Sequence, residues 1–343
     1  MWYLVDAADT AKVIRHVRAD NAVSERHLHR AVRPSSLAAL THSAIEQAIT
    51  TATTCTREVP VRGAAHTVLA IPIAGPDARP LAVQVWVGPS DAPREPAPEV
   101  DAFVWDGRQW TLMSTGVGGP VLPAGYPMLH GAWFLSRIIE CEERDRLMTA
   151  ALDPKPGTAW AGPMEVLTAA GTHTTKVYGF FRYHREESVR GLLLRIGSDR
   201  EPGIVLPTYH NDAAAALLGG TTALIDIQRL QIVEWLTPPI ADIAWRHHPA
   251  SRDLDPADSD AFNLETTHLI HPDDTGIYLG ALGDLAAGRV SRARGIVRLL
   301  TVTGGWQTVE LYCIRLPHAS PRFLTTLIRP ISDGVPGILS DSD

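Results

Sequence analysis

The chain has 343 residues, of which 45% are hydrophobic and 20% are charged, and its formal net charge is −7. This length predicts two or three domains, and the composition is typical of a folded globular protein. A negative net charge gives no general attraction for nucleic acid or acidic lipid, so neither is an expected partner.

Cysteine usage and the N-terminal segment indicate a reducing cytosol. The three cysteines, Cys55, Cys141 and Cys313, are odd in number and far apart, so neither a disulfide framework nor a CxxC metal knuckle is available. Residues 1–6 lack the basic region of a signal peptide, and no window is long enough to span a bilayer. We therefore predict a cytoplasmic protein without a membrane partner.

One pattern recurs three times along the chain. A short apolar strand ends at Asp6, again at Asp106 and again at Asp226. Each is followed by a glycine-containing hairpin, at residues 58–75, 164–184 and 295–317. This repetition predicts three modules built on one plan.

The first module is predicted at residues 1–88. It contains a helix that begins near Ser35 or Ser36, with one apolar face formed by Leu37, Leu40, Ala44, Ala48 and Ile49. Residues 89–100 are rich in proline and charge, and we predict a linker that lies outside any core.

The second and third modules are predicted at residues 101–220 and 221–330. A long helix is expected at residues 132–151 of the second module. In the third, Asp273 and Asp274 suit a helix start and Gly288 suits the helix stop, and a hairpin follows. Residues 331–343 are predicted to be a flexible tail.

One part of the chain resembles the second half of a PAS sensory domain. It consists of the motif His271-Pro-Asp-Asp, a helix, a strand, the motif Gly304-Gly-Trp306 and a second strand. With the words from Leu81 to Pro93, the chain resembles actinobacterial proteins that carry PAS-like, GAF-like and PAS modules in tandem without an output domain. The resemblance implies an α+β fold of three tandem PAS/GAF-like modules, each an antiparallel sheet flanked by helices. It implies no catalytic residues, and whether the middle module is GAF or PAS stays open.

Several local patterns suggest sites. His268 and His271 could share a metal with Asp273 and Asp274, although a turn and helix cap explains the same residues and is favoured. The aspartates between Asp253 and Asp260 lack the spacing and the glycine of a calcium loop. His247 and His248 could face a ligand or bind haem iron, but an ordinary histidine pair is the better explanation.

Two further patterns are assigned no binding role. Arg289, Arg292, Arg294 and Arg298 are expected on a solvated strand face or on an edge that faces another, acidic module, because nucleic-acid binding would need reinforcement elsewhere. The glycines from Gly116 to Gly119 lack the lysine and serine or threonine of a phosphate loop. No nucleophile elbow, HExxH, kinase or deaminase signature is present, so we expect no enzyme.

The resulting hypothesis is a non-catalytic sensor that responds to a small ligand or a partner. Its expected pocket lies in the third module, at Trp235, Trp245, His247 and Trp306, with no cofactor specified. Since no output domain is recognised, a separate effector protein is the expected partner, and self-association is compatible with this plan. The alternative is a structural adaptor that acts only through protein contacts.

Overall fold

The computed structural model describes residues 1–343 except 18–21, 62, 108–110, 153, 186–187, 201–218, 228–230, 238, 245–268, 316–321, 332–336 and 340–343. The chain divides into two compact units. Unit 1 comprises Met1–Leu129 and Arg137–Gly203, and unit 2 comprises His130–Ser136 and Ile204–Asp343. The described residues form three antiparallel sheets with helices, which confirms the predicted α+β class.

The first sheet lies in unit 1 and contains β1 (Trp2–Asp6), β2 (Lys12–Val17), β3 (Ala22–His27), β4 (Cys55–Val61), β5 (Ala64–Ala74) and β6 (Pro80–Pro89). Its helices are α1 (Leu28–Ala31) and α2 (Ser35–Thr51). The helix α2 packs on β4, β5 and β6, with Leu37, Ala44 and Ala48 buried as predicted. Leu40 is only half-buried, and Pro34 takes the N-cap position without a side-chain bond.

The second sheet contains β7 (Val100–Asp106), β8 (Thr111–Ser114), β9 (Met128–His130), β10 (Ile138–Glu140), β11 (Ala159–Leu167), β12 (Thr174–Arg185) and β13 (Ser188–Arg195). The predicted helix at residues 132–151 is wrong, because β10 separates α3 (Gly131–Ser136) from α4 (Arg144–Leu152). Ile138 pairs with Val166 of β11, and β-branched isoleucines suit such a ladder.

The third sheet lies in unit 2 and contains β14 (Thr221–Asp226), β15 (Gln231–Trp235), β16 (Arg292–Leu300), β17 (Trp306–Arg315), β18 (Phe323–Pro330) and β19 (Gly337–Leu339). A 3-10 turn (Pro272–Asp274) leads into α5 (Thr275–Ala286), and Gly288 follows with a φ of +69°. Because β19 pairs with β16, the predicted flexible tail at residues 331–343 contains a strand.

One strand order recurs in all three sheets. The first sheet contains the series β2-β1-β6-β5-β4, the second β8-β7-β13-β12-β11, and the third β15-β14-β18-β17-β16. In each series the strand that comes first in the chain (β1, β7 or β14) pairs with the next strand along the chain and with a later strand (β6, β13 or β18). The remaining two strands form the hairpin, which extends the sheet beyond that later strand. The helices α2, α4 and α5 each pack on the hairpin strands of their own sheet. We call the opposite side of each sheet its back face.

The back faces of the first two sheets pack against each other in unit 1. One buried cluster joins Leu4 and Ala82 of the first sheet to Val104, Phe180 and Leu192 of the second. Residues on both sides of the proline-rich segment therefore share a core, which corrects the prediction that residues 89–100 separate two independent modules.

The proline-rich segment itself is bound to the first sheet. Trp2 and Trp86 are paired across β1 and β6, and both are buried. The indole Nε1 of Trp2 donates to the carbonyl of Glu95 at 2.8 Å, and the Arg94 guanidinium lies 5.2 Å from the centre of the Trp86 ring. These contacts make the segment part of unit 1, contrary to the expectation of a free linker.

Candidate functional site on the third sheet

The motif His271-Pro-Asp-Asp forms the turn that connects the edge of the third sheet to α5. The amide of Leu300 donates to the carbonyl of Leu269 at 2.8 Å, and the amide of His271 donates to the carbonyl of Arg298 at 2.9 Å. These bonds extend β16 pairing to the segment just before the 3-10 turn. The start of α5 is therefore fixed against the sheet.

Capping at this turn comes from the histidine and not from the aspartates. Nδ1 of His271 accepts from the amide of Asp273 at 3.2 Å, and the Thr275 hydroxyl donates to the His271 carbonyl at 3.3 Å. Asp274 occupies the N-cap position of α5 but makes no side-chain bond to that helix. The predicted helix start is found with both aspartates in its first turn, but the expected capping bond from the Asp274 side chain to α5 is absent.

Asp274 instead binds Arg298 on β16. Its carboxylate accepts from the Arg298 backbone amide at 2.8 Å, from Nε at 2.8 Å and from Nη2 at 2.7 Å. The hydrogen bonds from the Arg298 side chain and amide outweigh burial and hold the pKa of Asp274 below its ordinary value. This pair joins the helix start to the sheet through a bidentate bond.

Trp306 is the predicted pocket residue whose side chain the structure describes. Its ring lies edge-on to His271, with centroids 4.6 Å apart, and it is 42% exposed. Trp235 is the last residue of β15, where its backbone pairs with Ala223, and its side chain lies outside the described part. Trp245 and His247 also lie outside the described residues.

Most residues of the predicted metal sites lie outside the described part of the chain. His268, the aspartates from Asp253 to Asp260 and His248 lie outside the described residues. Within the described part of the chain, no group of three or more potential ligands is close enough to hold a metal ion. The described residues His271, Asp273 and Asp274 are occupied with capping and with Arg298.

Three arginines of the predicted basic run, Arg289, Arg294 and Arg298, pair with carboxylates. Arg289 donates to Asp284 at 2.7 Å. Arg298 binds Asp274, as described above, and Arg294 donates to Glu310 on β17. Arg329 of β18 donates to the other oxygen of Glu310. These guanidiniums therefore belong to ion pairs on and beside the sheet.

The recurring aspartates end equivalent strands, β1, β7 and β14, which pair with β6, β13 and β18 respectively. In unit 1, Asp6 lies 3.2 Å from Arg190 and 3.4 Å from Arg182. In unit 2, Asp226 is fully buried and accepts from Nε of Arg322 at 2.9 Å. The arginines that bind the aspartates were not predicted, because they lie far away in sequence.

A buried acid in the second sheet was also missed. Asp101 is 4% exposed, and its carboxylate accepts from the amides of Val121 at 2.8 Å and Leu122 at 3.2 Å. Burial raises the pKa of Asp101 to about 7, although these two bonds lower it. A Cβ on Gly119 would lie 2.0 Å from the carboxylate, which explains a glycine there. A charged residue inside an apolar strand was the available signal.

Aromatic side chains fill the helix side of the second sheet. Phe103, Trp105 and Phe181 are fully buried, and the rings of Phe103 and Phe181 meet edge-on at 5.5 Å. Gly191 lies between their strands, where a Cβ would come within 2.1 Å of the Phe103 ring. The absent side chain makes room for this ring contact.

None of the helices in the described part of the chain combines the length and apolar character that crossing a bilayer requires. The three antiparallel sheets and their helices define an α+β protein with two compact units. Comparison with known proteins relates it to particular chains. Residues 1–97 match the family model described as Rv3651-like, N-terminal.

An uncharacterised protein from Mycobacterium tuberculosis, known from its crystal structure, is similar along nearly the whole chain. The identity is 18%, the TM-score is 0.62, and the match covers 97% of this chain and 96% of that one. At this identity the likeness shows a shared fold. An RNA-binding Light-Oxygen-Voltage receptor matches with 10% identity and a TM-score of 0.22, over 67% of this chain and 95% of the receptor, which is too distant to support any argument. No curated protein matches the chain.

Proposed function

We propose that the chain is a non-catalytic, cytoplasmic signal-transduction protein, built from tandem PAS/GAF-like modules, that responds to a small ligand or a partner protein. The observation that carries this proposal is the recurrence of one strand order in three antiparallel sheets, each with its helix on one side. Such a layered module can hold a ligand between sheet and helix or present its back face to a partner.

Several buried and half-buried carboxylates are held in hydrogen bonds by other groups of the chain, and these bonds support a non-catalytic role. Asp101 binds loop amides, Asp226 binds Arg322, Asp274 binds Arg298, and Glu310 binds two arginines. A general acid or base must instead reach a substrate proton. These carboxylates act in the fold, and nucleic-acid binding through the neighbouring arginines is not part of the proposal.

The experiment is a comparison of native and denatured masses of the purified full chain, together with its ultraviolet-visible spectrum. A sensor that carries its ligand gives a native mass above the chain mass, and the excess disappears on denaturation. Hydrogen exchange before and after ligand removal then locates the ligand, and the proposal expects the change in unit 2. Identical masses, with protein absorption alone, would contradict a resident ligand.

The second candidate function is an adaptor that acts only through protein contacts. It is favoured by one observation, the fully buried Phe103, Trp105 and Phe181 that fill the helix side of the second sheet. The same native mass spectrum tests it, because an adaptor shows the mass of the chain, or of a multiple of it, and no excess.

A further inference from the structure

The back face of the third sheet carries charged and exposed aromatic side chains, whereas its helix side is an apolar core. On β17, Val309, Leu311 and Cys313 belong to the core on the helix side. Because side chains alternate along a strand, the residues between and beyond them point to the back face. We call the resulting surface the arginine face, and it comprises Arg292, Arg294, Arg298, Trp306, Glu310, Tyr312, Ile314 and Arg329. Arg298 is bound to Asp274, as described above.

An arginine fork lies at the centre of this face. Nε of Arg294 donates to one oxygen of Glu310, and Nη2 of Arg329 donates to the other. The Glu310 side chain is 8% exposed, whereas the two arginine side chains are 43% and 41% exposed. One carboxylate therefore neutralises one of two guanidiniums, and one positive charge remains at the surface.

Apolar side chains lie at both ends of the same strand. Trp306 is 42% exposed and Ile314 is 36% exposed. Each is four residues from Glu310, which corresponds to roughly 13 Å along a strand. The arginine face is thus a strip with a cationic centre and an apolar group towards each end, and Arg292 lies opposite Ile314.

A comparison with the back faces of the first two sheets argues against a second copy of the chain as the partner of the arginine face. They pack on each other through apolar residues such as Val104, Phe180 and Leu192. A second copy of the arginine face would instead bring Arg294 and Arg329 against the same arginines, and like charges oppose such a contact. Charge complementarity favours a carboxylate at the centre.

We propose that the arginine face binds an extended acidic segment of a partner protein. The segment places a carboxylate on the fork formed by Arg294 and Arg329, where guanidinium N–H groups not used by Glu310 can bind it. Apolar residues four positions before and after that carboxylate contact Trp306 and Ile314. This inference rests on the proposed function, for which it supplies the surface that recognises the effector.

A polypeptide fits this surface better than a nucleic acid does. The chain carries a net charge of −7, and Glu310 already offsets half of the charge of the fork. Binding to a phosphate backbone requires a continuous cationic track, usually with several stacking aromatic side chains. Arg298 is bound to Asp274 and Glu310 lies between Arg294 and Arg329, so carboxylates separate the cations of this face. Separate cations beside apolar groups suit the acidic side chains of an extended peptide.

The probe is a fluorescent nonapeptide with leucine at positions one and nine, glutamate at position five and serine elsewhere. The matched control has glutamine at position five. With the full chain in low salt, we expect the glutamate peptide to bind about fivefold more tightly, as one partly exposed charge pair would give. Equal binding of the two peptides, or tighter binding of a single-stranded oligonucleotide, would overturn the proposal.

Substitutions on the arginine face locate the site. Trp306→Ala and Ile314→Ala change exposed residues, so the fold should persist in circular dichroism, and each should weaken binding about threefold or more. Glu310→Gln removes the competing carboxylate and should tighten binding of the glutamate peptide but not of the glutamine peptide. Unchanged affinity in the two alanine variants, with the fold intact, would contradict this site. Either result is independent of the native mass, so failure here is distinguishable from failure of the proposed function.

Discussion

The back faces of the three sheets differ in burial although the sheets share one strand order. In unit 1 the back faces of the first two sheets are apolar and bury each other around Val104 and Leu192. In unit 2 the corresponding face of the third sheet holds Glu310 between two arginines and exposes Trp306. Sheets with the same strand order can therefore have different back faces. Those of the first two sheets are apolar and buried, whereas Trp306 on the third is 42% exposed.

The largest effect tests the buried ion pair of unit 2. Asp226→Ala leaves Arg322 buried without its carboxylate and should lower the free energy of unfolding by roughly 3–5 kcal/mol in urea denaturation. The matched control is Asp284→Ala, which removes an exposed partner of Arg289 and should cost less than about 1 kcal/mol. Similar costs for the two variants would refute the structural role of the buried pair.

The contrast between back faces can be measured with two truncations. Leu194→Ala opens a cavity between the first two sheets, where the side chain is 1% exposed, and should cost roughly 2–5 kcal/mol of unfolding free energy. Ile314→Ala on the arginine face should cost less than about 1 kcal/mol, because the side chain is exposed. Denaturation curves of both variants decide the matter, and a larger loss for Ile314→Ala would invert the comparison.

Local signals in the sequence predicted the hairpins and the repeated strands. Glycine turns and β-branched strands were enough, because β4 with β5, β11 with β12 and β16 with β17 are neighbours in sequence. The strand β10 was missed because it lies inside residues 132–151, which the apolar pattern predicts as one helix, and β19 was missed because its partner β16 lies far along the chain. Nothing in their short local sequences specifies such pairing.

The shared core of unit 1 had a signal that was not used. In β13, consecutive residues Leu192, Leu193 and Leu194 are all apolar, which is typical of a strand buried on both faces. The arginine fork could not be predicted, because only the strand register brings Arg294 and Arg329 to Glu310. Of the proposed pocket, the side chain of Trp306 alone can be placed, and it is exposed beside His271.

The two units should respond to pH with opposite sign. Burial raises the pKa of Asp101 in unit 1 from 3.8 to about 7. The folded protein therefore binds the proton more tightly than the unfolded chain, and stability falls as pH rises between these values, by roughly 4 kcal/mol. Asp101→Asn should remove this decline in denaturation curves recorded from pH 4 to pH 8. An unchanged slope in the variant would show that Asp101 is not its source.

Asp274 in unit 2 should act in the acid range. Its hydrogen bonds from Arg298 lower its pKa, so its contribution is present above the ordinary value of 3.8 and is lost as pH falls through the lowered value. Asp274→Asn should cost roughly 1–3 kcal/mol at pH 7 and flatten the acid limb of the stability curve. If wild type and variant lose stability in parallel below pH 4, this assignment is wrong.

The smallest expected effect lies on α5. Gly276, Gly280 and Gly283 occupy helical positions where an added Cβ would meet nothing within 4 Å. Each Gly→Ala change should raise the free energy of unfolding by roughly 0.5–1 kcal/mol, because glycine loses more backbone entropy in a helix. Thermal and urea denaturation of the single variants would check this. A destabilised alanine variant would mean that this helix surface is more crowded than the structure shows.

The most direct test is thiol labelling of two single variants. It shows whether the back face of the third sheet is accessible to solvent at position 314, while the back faces of the first two sheets are buried against each other. Ile314→Cys and Leu192→Cys each place one thiol on a back face, and the natural Cys55, Cys141 and Cys313 are buried. Under native conditions the account predicts fast labelling at position 314 and labelling at position 192 only when the protein unfolds. Protection at position 314, or fast native labelling at position 192 with the fold intact, would contradict it.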